Sequence, residues 1–391
     1  MTKLFLKKNE ERRINQGHLW IFSNEISGKE GDAVNGDIVQ VFDYKNNFLA
    51  CGFYNANSLI AVRILSDEID LDLEKLFRSR LKAAFALRKT VYPNRDSFRM
   101  VFSESDYLPG LIIDKYNSTF VLQVYSWGME KNIEFIVKIL ADDYSAENIF
   151  TKGEEYFRTL EGLPADDKIY LGTMQNEIIS DGKVKYEIDF SSGHKTGFYF
   201  DQCDNRQFFG TLCENKSVLD CFCNSGGFGL HAVANNAALV EFADSSAEEI
   251  NNAAKNFSLN KFECKTEFIR SDVFDYLEKC IAENKKFDVI NLDPPAFAKN
   301  KKALQTAIKG YERLNKLAFQ SLNEEGLLFT SSCSHHLDEE TFLNLIQKAA
   351  LKAERKIQMI HFNNASMDHP SLPAMYETGY LKFAAFRVLN K

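Results

Sequence analysis

Between residue 175 and the C-terminus, short apolar runs recur with helix-length segments between them. They occupy residues 217–222, 238–243, 266–269, 287–292 and 326–329. Strands joined by helices pair in parallel and need both faces covered, which predicts a doubly wound, mostly parallel α/β sheet. In such sheets ligands bind where the strands end, so the residue that follows each run carries the most information.

The first run leads into Asn224-Ser225-Gly226-Gly227-Phe228-Gly229 and then a helix from about Leu230. Glycines there let a ligand approach the backbone. The G-x-G-x-x-G spacing of a dinucleotide site and the G-K-[ST] of a P-loop are both missing, which lowers NAD and ATP in rank. The second run ends in Asp244, followed by Ser245, where a carboxylate is placed to accept from two ribose hydroxyls. The third is followed by Asp272 and Val273, a carboxylate for an adenine amino group and an N–H for a ring nitrogen. The fourth delivers Asp293-Pro294-Pro295. Asp244 or Asp272 alone is more simply a helix N-cap. Four consecutive strand ends of this kind resemble a Rossmann-like, class I S-adenosylmethionine-dependent methyltransferase, whose sulfonium cofactor needs no pyrophosphate cradle.

Upstream, residues 39–42, 48–53 and 59–65 read as short strands of a small β module. Apolar positions 73, 76, 77, 81, 84 and 85 predict a helix over 71–91, closed by Tyr92-Pro93. Its remaining positions include Lys75, Arg78, Arg80, Lys82, Arg88 and Lys89. This is either a solvated face or an RNA-facing one. Strands at 100–102, 111–114 and 119–125 with a helix over 129–140 predict an α+β middle domain, and Asp181-Gly182 a hairpin turn. The expected domains are 1–68, 69–174 and 175–391.

A net charge of -8 excludes nucleic-acid binding by bulk charge, so any RNA contact must be a local patch. No apolar run approaches the roughly 18 residues of a membrane span, and the expected location is the cytoplasm. The 8 cysteines form no C-x-x-C pair, which argues against a zinc ribbon or a disulfide framework. Cys333, His335 and His336 lack a fourth ligand, and no metal site is expected.

Residues 192–206, from Ser192-Gly193-His194-Lys195-Thr196-Gly197 to Asp201-Gln202-Cys203-Asp204-Asn205-Arg206, closely resemble the cofactor-flanking hairpin of one family. It comprises the large-subunit (23S) ribosomal RNA cytosine-5 methyltransferases with an N-terminal PUA domain. The likeness runs through Gly17-His18-Leu19-Trp20, Asp106-Tyr107-Leu108-Pro109-Gly110, Asp293-Pro294-Pro295-Ala296-Phe297, Ser332-Cys333-Ser334 and Asp368-His369-Pro370, in the family's order. It implies a PUA domain, an α+β middle domain and a methyltransferase domain, with large-subunit rRNA as partner and a homodimer as the assembly. It also implies that Lys195, Thr196 and Gln202 lie beside S-adenosylmethionine, with Asp220, Gly226 and Gly227 around its methionine moiety. Cys203 stands where relatives usually carry Arg, and His335-His336 where they more often show Gly-Leu.

Carbon 5 of cytosine is not nucleophilic until a nucleophile adds to carbon 6, and a cysteine thiolate suits that step. Cys333, in the polar stretch after 326–329, is the expected nucleophile, and Asp293 the group that stabilises proton uptake at ring nitrogen 3. Ala296 occupies the place where many RNA cytosine-5 enzymes keep a second cysteine. Two alternatives stand beside this reading: methylation of a guanine nitrogen, which needs no thiol, and an RNA-binding assembly factor without turnover.

Overall fold

The computed structural model describes residues 1–191, 196–298 and 301–389. The chain divides into two compact units. The first comprises Met1–Ile179, Ile188–Phe200 and Met367–Thr378, and the second Ser180–Glu187, Asp201–Ser366 and Gly379–Lys391. Three stretches inside the expected 175–391 domain, residues 175–179, 188–200 and 367–378, therefore group with the first unit.

The first unit opens with six strands: β1 (Thr2–Leu6), β2 (Trp20–Phe22), β3 (Ile26–Glu30), β4 (Ile38–Phe42), β5 (Phe48–Tyr54) and β6 (Ile60–Ser66). They form one sheet in the order β2-β6-β5-β4-β1-β3. The last three match the expected strands, whereas β1 to β3 have no counterpart among them. In β1 only Thr2, Leu4 and Leu6 are buried, so a single alternation amid Lys3, Lys7 and Lys8 carries the signal.

A second sheet, ordered β11-β10-β9-β8-β7, holds β7 (Phe98–Phe102), β8 (Leu111–Tyr116), β9 (Thr119–Val124), β10 (Asn148–Thr151) and β11 (Ile169–Leu171). The helix expected over 129–140 is two, Trp127–Lys131 and Ile133–Tyr144, broken at Asn132. The basic helix spans Leu73–Val91 and is capped by Asp72, which accepts from the Lys75 N–H. It packs Phe77, Leu81 and Ala84 into the core of this sheet, beside Met100, Ile113 and Phe120.

Arg88 requires a correction. It continues the buried face at the 81, 84, 88 spacing and is fully enclosed, so it is no RNA contact. Its guanidinium takes the Asp106 carboxylate in a two-point pair at 2.5 and 2.8 Å and donates to the carbonyls of Arg99 and Asp368. Asp368 also accepts from the Arg99 N–H, which fastens the 367–378 stretch to this unit.

The hairpin of β12 (Glu177–Asp181) and β13 (Val184–Ile188) turns at Gly182, whose φ of +60° suits glycine. The second unit is built on β14 (Ser217–Cys221), β15 (Leu239–Asp244), β16 (Lys265–Arg270), β17 (Phe287–Leu292), β18 (Leu322–Ser332), β19 (Lys356–Asn363) and β20 (Lys382–Leu389). Their order is β16-β15-β14-β17-β18-β20-β19. The first five run parallel, and β20 pairs antiparallel with both β18 and β19. The strand order reverses at β14, the place where doubly wound sheets bind ligands. One core cluster joins Leu219, Ile290 and Leu328 of the sheet to Leu314, Phe319, Phe342 and Ile346 of the helices Leu304–Gln320 and Glu339–Lys352. Among the described residues no helix is long and apolar enough to cross a membrane.

Candidate active site

Parallel pairing keeps the strand ends level. Cys221 lies beside Ala243 and Leu292, and Leu292 beside Thr330. Asp244, Asp293 and the end of β18 therefore reach one rim of the sheet.

The loop after β14 passes through left-handed backbone at Phe222 (φ 58°), Asn224 (φ 49°) and Gly226 (φ 88°). Two of these are not glycine, a cost that clusters at functional sites. Asp244 holds the loop by accepting from the Asn224 N–H at 3.1 Å, while its other oxygen takes the Ser246 N–H at 2.9 Å. It is half-buried and is not a helix cap, since Ser246 caps the helix Ala247–Asn260. Ser245 beside it is exposed.

Asp272 fulfils the simpler expectation: Oδ1 caps the helix Val273–Ala282 by accepting from the Phe274 and Asp275 N–H groups. Its side chain is otherwise exposed, which leaves Oδ2 for a ligand, and Val273 is buried at the first turn.

Asp220 has no exposed surface. Its carboxylate accepts from the Gly229 N–H at 2.7 Å and from Asn291 Nδ2 at 2.9 Å, and burial pushes its carboxyl up to about 6. This corrects the expectation of direct cofactor contact: Asp220 acts by fixing the start of the helix Gly227–Ala234. That helix begins at Gly227 rather than Leu230. A Cβ on Gly227 would lie 2.6 Å from Arg206 Nε, so here glycine makes room for a buried arginine.

Asp293 is half-buried at the end of β17 beside buried Pro294. Gln202 Nε2 donates to Asp293 Oδ1 at 3.0 Å and to Ser331 Oγ at 3.2 Å, while Asn205 anchors Gln202 from behind at 2.7 Å. Enclosure, together with the negative charge of Asp201, pushes the Asp293 carboxyl up to about 7 against the pull of Arg206. Near neutral pH it therefore exchanges a proton readily.

β18 continues through Ser332, so Thr330, Ser331 and Ser332 belong to the strand and not to the expected polar turn. Cys333 is the first residue beyond it and is partly exposed. The Gln202 bridge joins Asp293 to Ser331, two residues before Cys333. Ser332 and Ser334 both meet the Tyr311 hydroxyl, at 3.0 and 3.2 Å, and Lys382 Nζ donates to the Ser334 carbonyl at 2.7 Å. Cys221 and Cys223 are buried in the loop root, where burial drives their thiols well above the ordinary range.

Thr196 is buried in the first unit. Lys195 lies outside the described residues. On the helix Leu73–Val91, Lys75 and Lys82 are exposed, whereas Arg78 pairs with Glu74 and Asp143, and Lys89 donates to the Arg95 carbonyl. Sequence reasoning missed Ser331, Tyr311 and Lys382. The last had a visible signal, a lone lysine heading the apolar run Phe383-Ala384-Ala385-Phe386.

Glycine turn, acidic strand ends and the Asp-Pro-Pro loop on a parallel sheet define a Rossmann-like class I methyltransferase. A model of the PUA-like domain matches residues 4–67, which contain β2 to β6 and most of β1. A second family model, Conserved hypothetical protein 95, matches residues 197–360. Over 99% of its length the chain is 37% identical to the ribosomal RNA large subunit methyltransferase I of Aliivibrio fischeri, whose whole length is covered. It is 35% identical to the protein of that name from Shigella dysenteriae, over 99% of both chains. The chain belongs to the ribosomal RNA large subunit methyltransferase I family. Its fold also matches a candidate methyltransferase complexed with SAH, at 19% identity, a TM-score of 0.85 and 99% and 100% coverage of the two chains. A candidate SAM-dependent methyltransferase from Streptococcus mutans matches at 18% identity, a TM-score of 0.83 and the same coverage.

Proposed function

We propose that the protein methylates carbon 5 of a cytosine in large-subunit (23S) ribosomal RNA, using S-adenosylmethionine, through a covalent adduct on Cys333. The observation that carries this reading is the Gln202 bridge, which ties the Asp293 carboxyl to the strand that ends one residue before Cys333.

The residues fit the cofactor. Asp244 offers a half-buried carboxylate to the ribose, Asp272 its Oδ2 and Val273 its N–H to the adenine, and the left-handed turn at Gly226 brings backbone close to the methionine moiety. Ser245, Gly227 and Pro294 complete the proposed surround. When bound, S-adenosylmethionine supplies an electrophilic methyl group.

The chain's own residues prepare the base. The Cys333 thiolate adds to carbon 6 and forms a C–S bond while nitrogen 3 gains a proton, which the Asp293 carboxyl holds and shares. The electron pair at carbon 5 is then available to form the new C–C bond. Loss of the carbon 5 proton and expulsion of the thiolate restore the ring. The target nucleotide must be unstacked to reach Cys333, so it lies in a loop or in immature RNA. Lys75, Arg78, Lys82 and Lys89, with the β1 to β6 module, supply contacts to phosphate and RNA shape, in the cytoplasm where ribosomes are assembled.

The test is transfer of labelled methyl to unmodified large-subunit rRNA followed by nucleoside analysis, with wild type and Cys333→Ala side by side. The expected product is 5-methylcytidine, lost in the variant. A methylguanosine product, or full activity in Cys333→Ala, would overturn the reading, and failure to bind the cofactor would favour an assembly factor.

A further inference from the structure

Lys382 is a lysine where the fold has no obvious use for one. It heads β20, is nearly sealed from solvent, and is followed by Phe383, Ala384 and Ala385, all fully buried. An ammonium in such a place costs free energy unless the surroundings compensate it. Antiparallel register sets Lys382 opposite Ser332, one residue before Cys333. Its Nζ donates to the Ser334 carbonyl at 2.7 Å and to the Tyr380 carbonyl at 2.6 Å, one residue after Cys333 and on its own strand's approach. Cys333 is thus bracketed on both sides along the chain by Lys382. Carbonyls accept the ammonium's hydrogen bonds but leave its charge unbalanced.

The charged and titratable neighbours of this ammonium are few. Asp338 and Glu339, at the start of the helix Glu339–Lys352, are exposed, and Asp338 is occupied in capping by the Thr341 N–H. From the helix Leu304–Gln320, Tyr311 is held by Ser332 and Ser334 and is kept neutral by burial. Tyr380 donates its hydroxyl to Asp201, and the His335 ring lies 5.3 Å from the Tyr380 ring. Burial draws the Lys382 ammonium down to about 8, and the Cys333 sulfur is the largest of the charges that oppose this.

We propose, on the reading of Cys333 as the nucleophile, that Lys382 is a positioning residue whose buried ammonium holds the Cys333 sulfur as a thiolate. The pair fades above about pH 8 as Lys382 loses its proton. Two carbonyls fix the ammonium, so the charge stays in place when the sulfur leaves to attack the base and is there to receive it again on expulsion.

The test is alkylation of the full-length protein by iodoacetamide across pH 5 to 10, reading the rate at the Cys333 peptide by mass spectrometry. Wild type, Lys382→Met and Lys382→Arg are compared, with thermal melting to confirm that each is folded. Wild type should show a midpoint below the ordinary thiol value of about 8.5. Lys382→Met should raise it by about one pH unit or more, roughly tenfold less thiolate at neutral pH, and Lys382→Arg should restore most of the shift. The readout needs no RNA, so it fails separately from the nucleophile reading, which Cys333→Ala tests. A wild-type midpoint at or above about 8.5, or an unchanged midpoint in folded Lys382→Met, would overturn the proposal.

Discussion

Asp293 combines two demands in one carboxyl: it sits at the rim proposed to receive the base, and its surroundings hold its proton up to about 7. The consequence for stability has a definite sign. A carboxyl raised in the folded state binds a proton that the unfolded chain has released, so folding weakens as pH rises from about 4 through 7. Asp293→Asn removes that contribution, and its melting temperature should fall less than that of wild type between pH 5 and 8. Asp220, raised to about 6, adds a slope of the same sign that remains in the variant. Catalytically the same substitution should cost about 100-fold or more in methyl transfer. Wild-type activity should decline above pH 7 as the proton is lost, in a pH–rate profile at saturating cofactor. Arg88 shows the opposite use of charge. Arg88→Leu strands Asp106 in the core and should cost about 3–5 kcal/mol in chemical denaturation.

At the scale of the element, the helix Leu73–Val91 separates two roles by its 3.6-residue period. Its inward face ends in Arg88, while Lys75 and Lys82 point to solvent. Replacing both lysines by Ala should weaken RNA binding and lower the slope of log K against log salt by about one per lost phosphate contact, with stability unchanged. The helix Gly227–Ala234 is fixed from the other direction. A Cβ on Gly229 would lie 2.2 Å from the Phe242 ring, which is buried and stacked on Phe268 at 5.0 Å. Gly229→Ala should cost about 1–3 kcal/mol and weaken cofactor binding with it, by melting and by titration. These elements also show what was legible in advance. The parallel strands β14, β15 and β17 are read easily because burial on both faces makes them largely apolar, with Asp220, Glu241, Asp288 and Asn291 the interruptions before their ends. β1 is short and partly polar, and β2, β10 and β11 contribute only three, four and three residues, so their pairing comes from long-range contacts that no local pattern encodes. The strand-end acids could be located because each directly follows a readable strand. The roles of Asp220, Gln202 and Lys382 could not, since they depend on which side chain faces which across the sheet.

For the molecule as a whole, two compact units divide the work proposed for it: the first carries the PUA-like module and the basic helix, and the second the rim with Asp244, Asp293 and Cys333. Cofactor binding should therefore register in the second unit. S-adenosylhomocysteine at about 100 times its Kd should add about 2.7 kcal/mol to the transition that exposes β14 to β18, followed by hydrogen exchange. The homodimer implied by the family resemblance is checked by sedimentation equilibrium, where a mass near twice 44.7 kDa is expected. The covalent step is tested most directly with large-subunit rRNA carrying 5-fluorocytidine, whose carbon 5 has no proton to lose. With S-adenosylmethionine present, the expected product is an adduct that survives denaturation, maps to the Cys333 peptide and is absent in Cys333→Ala. An adduct at another cysteine, or methylation of ordinary rRNA with no adduct on the fluorinated one, would contradict it.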